Sequence, residues 1–301
     1  MTGLRRVGTR ALVAAAILVW IGAHHPAWPE AGGDAAQKPP EAACDRSIFR
    51  VVVDVGHTAD APGAVSARGA HEFDFNLRLA TLIEHQLIEA GFARTILLVT
   101  EGRAMPGLAK RVGRANRSHA DLFLSIHHDS VPDALLENWD YNGEPHHFSD
   151  RFKGHSIFIS HDNRDPKGSL LFARLLGNAL KARGLQYTPH YTDKIMGHRR
   201  RELVDAEAGV YRYDQLIVLK DTAMPAALLE AGSIINRDEE LLLGTAEHQA
   251  VIGAGVLEAV ESFCTARQRK SSDRVARRPD AAKPAVRPAA ATFPASLFRR
   301  Q

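Results

Sequence analysis

The run ADLFLSIHHDS, Ala120–Ser130, is apolar until it breaks off at two adjacent histidines, and its reading decides the fold. A short apolar run of this kind reads as a buried strand. Successive side chains of a strand point to opposite faces, so only one of His127 and His128 can turn toward a shared site. The strand alone leaves open which.

Comparable runs recur on both sides of it: FRVVVDV (49–55), TILLVT (95–100), SIFIS (156–160), LIVLK (216–220) and AALLE (226–230) all read as strands. Helical patterns separate them. From Asp74 to Ala90 an apolar stripe runs through Phe75, Leu79, Leu82, Ile83 and Leu87 and is closed by Gly91. LAKRVGRANRS (108–118), SLLFARLLGNALKARG (169–184) and EHQAVIGAGVLEAVESFC (247–264) are the other helical segments. Such alternation predicts an α/β domain over 47–265, a mostly parallel twisted sheet with helices on both faces.

Three of the strands run into a chemically capable residue. VVVDVG leads to His57, DLFLSI to His127 and AALL to Glu230. In open α/β sheets ligands bind beyond the carboxyl ends of the strands, so these side chains are expected to converge there. Glu72, in HEFDFN, stands in the loop before the first helix. Two imidazoles and one carboxylate suit a catalytic zinc that keeps its fourth position for water. Asp54 is a candidate to orient one of the imidazoles, or simply to end its strand.

VVVDVGHTADAPGAVSARGAHEFDFNLRLA (51–80), LAKRVGRANRSHADLFLSIHHDS (108–130) and LIVLKDTAMPAALLEAGSIINRDEE (216–240) follow one another in the order of a known pattern. Over most of 49–262 the chain resembles the zinc-dependent N-acetylmuramoyl-L-alanine amidases that act on bacterial peptidoglycan. The resemblance implies one Zn2+ held by His57, Glu72 and His127, with Glu230 as the catalytic carboxylate. It implies hydrolysis of the amide joining the lactyl group of N-acetylmuramic acid to L-alanine, in cell-wall remodelling, division or recycling. It names no protein activator. Two rival readings keep the fold: another zinc cell-wall peptidase, and a peptidoglycan-binding protein without catalysis.

The chain departs from the family pattern in places. Val55 and Thr58 alter the loop around the first histidine, and EAGSIIN lacks the family's aromatic. An insertion at 131–153 follows the histidine pair; either its Trp139, Tyr141 and Phe148 cover the metal or shape the groove, or the segment is a plain surface loop. The segment between SIFIS and SLLFARLL, where the family's cell-division members carry an inhibitory insertion, is short. The run RRRE, Arg199–Glu202, reads as a solvated face, with binding of a substrate carboxylate as the alternative.

The ends differ from the middle. A basic head followed by the apolar run Ala11–Ala23 reads as a signal peptide within 1–31, too short to span a bilayer. A Pro/Gly/Ala-rich linker, 32–46, is expected to be irregular. Residues 266–301 carry ten Lys and Arg against two Asp, a net +8 in a chain whose total is +3. They read as a disordered basic tail able to contact an anionic wall or membrane surface. A nucleic-acid partner is not expected, because the basic excess sits on no folded face. Export to the periplasm makes the two cysteines, Cys44 and Cys264, candidates for a disulfide across the base of the sheet.

Overall fold

The structure, a computed structural model, describes residues 44–276. The signal peptide, nearly all of the linker and the tail beyond 276 lie outside the described residues. In chain order the elements are β1 (Val51–Val55), α1 (Glu72–Glu89), β2 (Ile96–Leu98), α2 (Ala104–Arg117), β3 (Leu122–Asp129), β4 (Glu137–Tyr141), β5 (Glu144–Phe148), β6 (Ser156–Ile159) and α3 (Pro166–Ala182). They continue with β7 (Glu202–Asp205), β8 (Val210–Arg212), α4 (Ile217–Lys220), β9 (Ala226–Ser233), α5 (Arg237–Leu243) and α6 (Ala246–Ala276).

Seven strands form one sheet in the order β2-β1-β3-β9-β6-β8-β7. Pairing is parallel except between β6 and β9 and between β7 and β8. The sheet is covered on both faces, as the alternation of strands and helices predicts. Val51, Val53, Val55, Leu124 and Ile126 face α1, α3 and α6, whereas Val52, Phe123 and Leu228 face α2 and α4. Every residue of β1 is buried, Asp54 included, which is why the other four positions are all valine and show no alternation with exposed polar residues. On α1 the buried residues Phe75, Leu79, Ile83 and Leu87 recur every fourth position and lie along the face turned to the sheet.

Parity along the strands sorts the site residues. Ser125 and His127 share the α2 face with Phe123, and Glu230 shares it with Ala226 and Leu228. His127 pairs directly with Glu230 across the β3–β9 ladder. His128 points the other way, toward α1.

Three readings are corrected. LIVLK is not a strand but contains the short helix α4. An apolar run of that length suits either state, and the place beside β6 is taken by β8, with β7 paired outside it as the edge. The 131–153 insertion is not a plain loop: β4 and β5 form a separate antiparallel hairpin. Its turn residues Asn142 and Gly143 have φ of 58° and 84°, the left-handed pair that an Asn-Gly hairpin turn requires. The basic segment expected to be irregular from 266 is helical up to Ala276. Arg267 reaches Asp165 at 2.7 Å, and Gln268 accepts a hydrogen bond from the backbone of Asp45, so the helix is tied at its far end.

Cys44 and Cys264 are disulfide-bonded, with Cα atoms 5.3 Å apart. Around the bridge Phe263 packs edge-on against Phe49 and Phe172. Closing a loop with a sequence separation of 220 residues restricts the unfolded chain. Replacing both cysteines by serine is expected to lower the denaturation midpoint, by up to about 5 kcal/mol of stability in the chain-entropy model. The native protein, denatured without reductant, should show no free thiol.

His155 is buried at the start of β6, and neither ring nitrogen has a partner. Burial depresses its pKa from 6.5 to about 4. The unfolded chain therefore takes up the proton first as pH falls. The stability this neutral ring contributes is complete above pH 6.5 and is lost as pH drops toward 4, a change of about 3 kcal/mol. In urea titrations across that window, His155→Gln should show a shallower loss of stability than the native protein.

Candidate metal centre and catalytic cleft

The loop after β1, the end of β3 and the first turn of α1 bring three side chains to one point. Nε2 of His57 lies 2.9 Å from Oε2 of Glu72, and Nδ1 of His127 lies 3.0 Å from Oε1 of the same carboxylate. One donor atom from each of the three falls within 4.8 Å of the others. Among the described residues no other group of His, Cys, Asp and Glu meets this spacing. Zinc bonds near ~2 Å would place tetrahedral donors roughly 3 Å apart, so the set fits that ion. Glu72 belongs to α1 itself rather than to the loop before it, and its Oε2 also accepts from the backbone of Ala64.

Local backbone makes this convergence feasible. His57 sits in the left-handed region at φ 64°. Two glycines give the rings room: a Cβ on Gly56 would lie 2.5 Å from the His127 ring, and one on Gly63 would lie 2.4 Å from Oε2 of Glu72. The strained carbonyl of His57 accepts from Nη2 of Arg111 at 2.6 Å. Arg111, buried on α2, is held in turn by Asp54 at 3.1 Å, and Asp54 accepts from Ser125. Asp54 therefore orients a candidate ligand through Arg111 and the backbone, not by touching an imidazole. Its Oδ atoms and Arg111 lie on the α2 face that parity assigns to His127.

His128 is buried against α1, where its Nδ1 meets Oδ1 of Asn76 at 2.8 Å and its ring packs on Phe75. Asn76 also donates to Oε1 of Glu72, so this pair steadies the carboxylate from behind. Burial holds His128 neutral, with its pKa depressed to about 3. Burial would raise Glu72, but hydrogen bonds from His127 and His57 outweigh it and keep the carboxylate well below its usual range.

Glu230 borders the same cleft, of about 800 Å³. Its Oε2 is buried without a hydrogen-bond partner. Burial, reinforced by the negative charges of Asp129 and Glu72, pushes its pKa well above the usual carboxylate range. Asp129, pushed to about 7 by burial, accepts from the hydroxyl of Tyr191 at 2.7 Å and lies 3.5 Å from Nε2 of His190. Asn76, Arg111, Asp129 and Tyr191 were not singled out by sequence reasoning. For Asp129 the signal was its place beside His127 in a buried strand; Tyr191 carried none.

The insertion meets the cleft with other residues than expected. Its Pro145, His146 and His147 line the wall, together with Val131 and Leu136. Trp139, Tyr141 and Phe148 instead brace the hairpin. Trp139 stacks on Tyr141 and donates to the carbonyl of Ala67, and Arg68 and Arg237 lie over the aromatic rings.

A histidine–glutamate–histidine donor set beside a buried carboxylate, at the carboxyl edge of an α/β sheet, defines the class as hydrolases built around a candidate metal site. Comparison with known proteins narrows it. The family model described as N-acetylmuramoyl-L-alanine amidase matches residues 51–262, and the chain belongs to that family of peptidoglycan-hydrolysing enzymes. Its relatives include the N-acetylmuramoyl-L-alanine amidase AmiA of Escherichia coli K12, 26% identical over 71% of this chain and 75% of that protein. A putative amidase of Buchnera aphidicola is 21% identical over 71% of this chain and 95% of its own length. Among solved structures, the catalytic domain of the amidase CwlV from Paenibacillus polymyxa is 25% identical, with a TM-score of 0.52 over 72% of this chain and 98% of that one. Ami1 of Mycobacterium smegmatis shares the fold at 16% identity, with a TM-score of 0.56 over 73% of this chain and 99% of that one.

Metal titration separates the adjacent histidines. Zinc added to metal-free protein is expected to bind as a single ion, and His127→Ala to abolish tight binding. His128→Ala should retain the ion but lose about 1–3 kcal/mol of stability, because Asn76 is left with an unpaired buried oxygen.

Proposed function

We propose that this protein is a zinc-dependent, exported amidase that cleaves the bond between the lactyl group of N-acetylmuramic acid and L-alanine in peptidoglycan. The observation that carries the reading is the pairing of His127 with Glu230 across β3 and β9, which sets a free buried carboxylate beside the three-donor cluster. Glu72, His57 and His127 would hold the ion. Zinc supplies polarisation of the amide carbonyl and a lowered pKa for water, toward ~7.

The chain's own residues do the rest. Glu230 takes the proton of the attacking water and delivers it to the departing nitrogen, the step without which the amine is a poor leaving group. Burial raises the pKa of this carboxylate, so it holds a proton more firmly than a carboxylate in water before passing it to the nitrogen. Asp129, Tyr191 and Arg199 set the field in which it does so. A protein that only bound the wall would have no use for such a group.

Placement in the periplasm is supported by the amino-terminal sequence and by the disulfide, which persists in oxidising compartments. Among the described residues no helix is long and apolar enough to cross a membrane. The basic residues toward the end of the chain would add electrostatic attraction to anionic wall polymer or lipid headgroups.

Digestion of purified peptidoglycan, with products identified by mass, tests the reading. Free peptides beginning at L-alanine are expected; cuts inside the peptide or the glycan would overturn it. Glu230→Gln should keep its zinc and lose at least about 100-fold in turnover.

A further inference from the structure

Arg199 and Arg201 line the cleft together with His127 and Glu230, on the segment that leads into β7. Their surroundings differ from those of nearby arginines. Arg174 pairs with Asp205, Arg212 with Glu202 and Asp214, and Arg237 with Asp150. Among the described residues neither Arg199 nor Arg201 has a carboxylate within ion-pair distance.

Both are nonetheless positioned. The Arg201 guanidinium lies over the ring of Tyr213 at 3.8 Å, and its Nη1 donates to the carbonyls of His198 and Arg200. Its backbone is tied to the carbonyl of Tyr191. Arg199 donates once, to the carbonyl of Ser130, immediately beyond the strand that carries His127. Two guanidinium groups with no ion-pair partner, held at the wall of a cleft, offer planar donor edges that match a carboxylate.

We propose that Arg199 and Arg201 form a subsite for a free carboxylate on the peptide side of the scissile amide, so that the cleft selects acidic peptides. The inference rests on the amidase reading and extends it to the substrate. On the sugar side the muramic acid carboxyl is consumed in the amide itself, so the peptide beyond L-alanine is where a free acid can stand. Charge-assisted hydrogen bonds of this kind discriminate acid from amide by roughly tenfold or more.

The test uses two soluble N-acetylmuramoyl-L-alanyl dipeptides that differ only in ending with a free carboxylate or a carboxamide. The full enzyme should prefer the acid by about tenfold in kcat/KM, chiefly through KM. In Arg199→Gln that ratio should fall toward unity, Arg199→Lys should restore part of it, and Arg201→Gln gives an independent second variant. Calorimetry with Glu230→Gln protein reads the same preference without hydrolysis. Equal cleavage and equal binding of the two ligands by the native site overturns the subsite alone, as does a preference that survives in both glutamine variants. Failure to cleave either ligand overturns the amidase reading, and with it this one.

Discussion

The structure depends on the parallel pairing of β3 between β1 and β9. Hydrogen bonding in register aligns Val55 with Ile126 and His127 with Glu230, so residues far apart in sequence reach the same edge of the sheet. A shift of one residue in either ladder would send His127 or Glu230 to the opposite face, because side chains alternate along a strand. The buried apolar residues of β1, β3 and β9 fix that register by filling both layers between sheet and helices.

Once the side chains are gathered, the site faces a charge problem. Glu72 and Asp129 are removed from water, and the half-buried Glu230, its Oε2 shielded, stands close to both. The protein treats them differently. Glu72 lies between two imidazoles and stays ionised, whereas Glu230 has burial and two like charges against it. Environments that push neighbouring carboxylates apart in this way separate the role of ligand from that of proton carrier.

The remaining architecture serves to hold these positions. Arg111 secures the left-handed backbone at His57, Asn76 secures Glu72 and His128 together, and the hairpin braces the loop 64–70 through Trp139. At the opposite end of the strands the disulfide joins the start of the domain to α6, away from the cleft. Stability and chemistry are thus concentrated at the two ends of the same sheet.

By itself the sequence determined the α/β class, the identity of the strands that end in His57, His127 and Glu230, and the pairing of its two cysteines. Long apolar runs and helical stripes are local signals, and an oxidised pair needs no geometry to be suspected. It did not determine the helix at 217–220 or the edge hairpin β7–β8, because a short apolar run fits either state until its neighbours occupy the sheet. Nor did it determine the hairpin of the insertion or which of its side chains meet the cleft: Trp139 is drawn to a carbonyl of the 64–70 loop and leaves the wall to His146 and His147. Arg111, Tyr191 and Arg199 come from elements remote from the donor residues. Only tertiary packing brings a guanidinium or a phenol to a buried carboxylate, since that contact is set by distance in space and leaves no spacing in the chain.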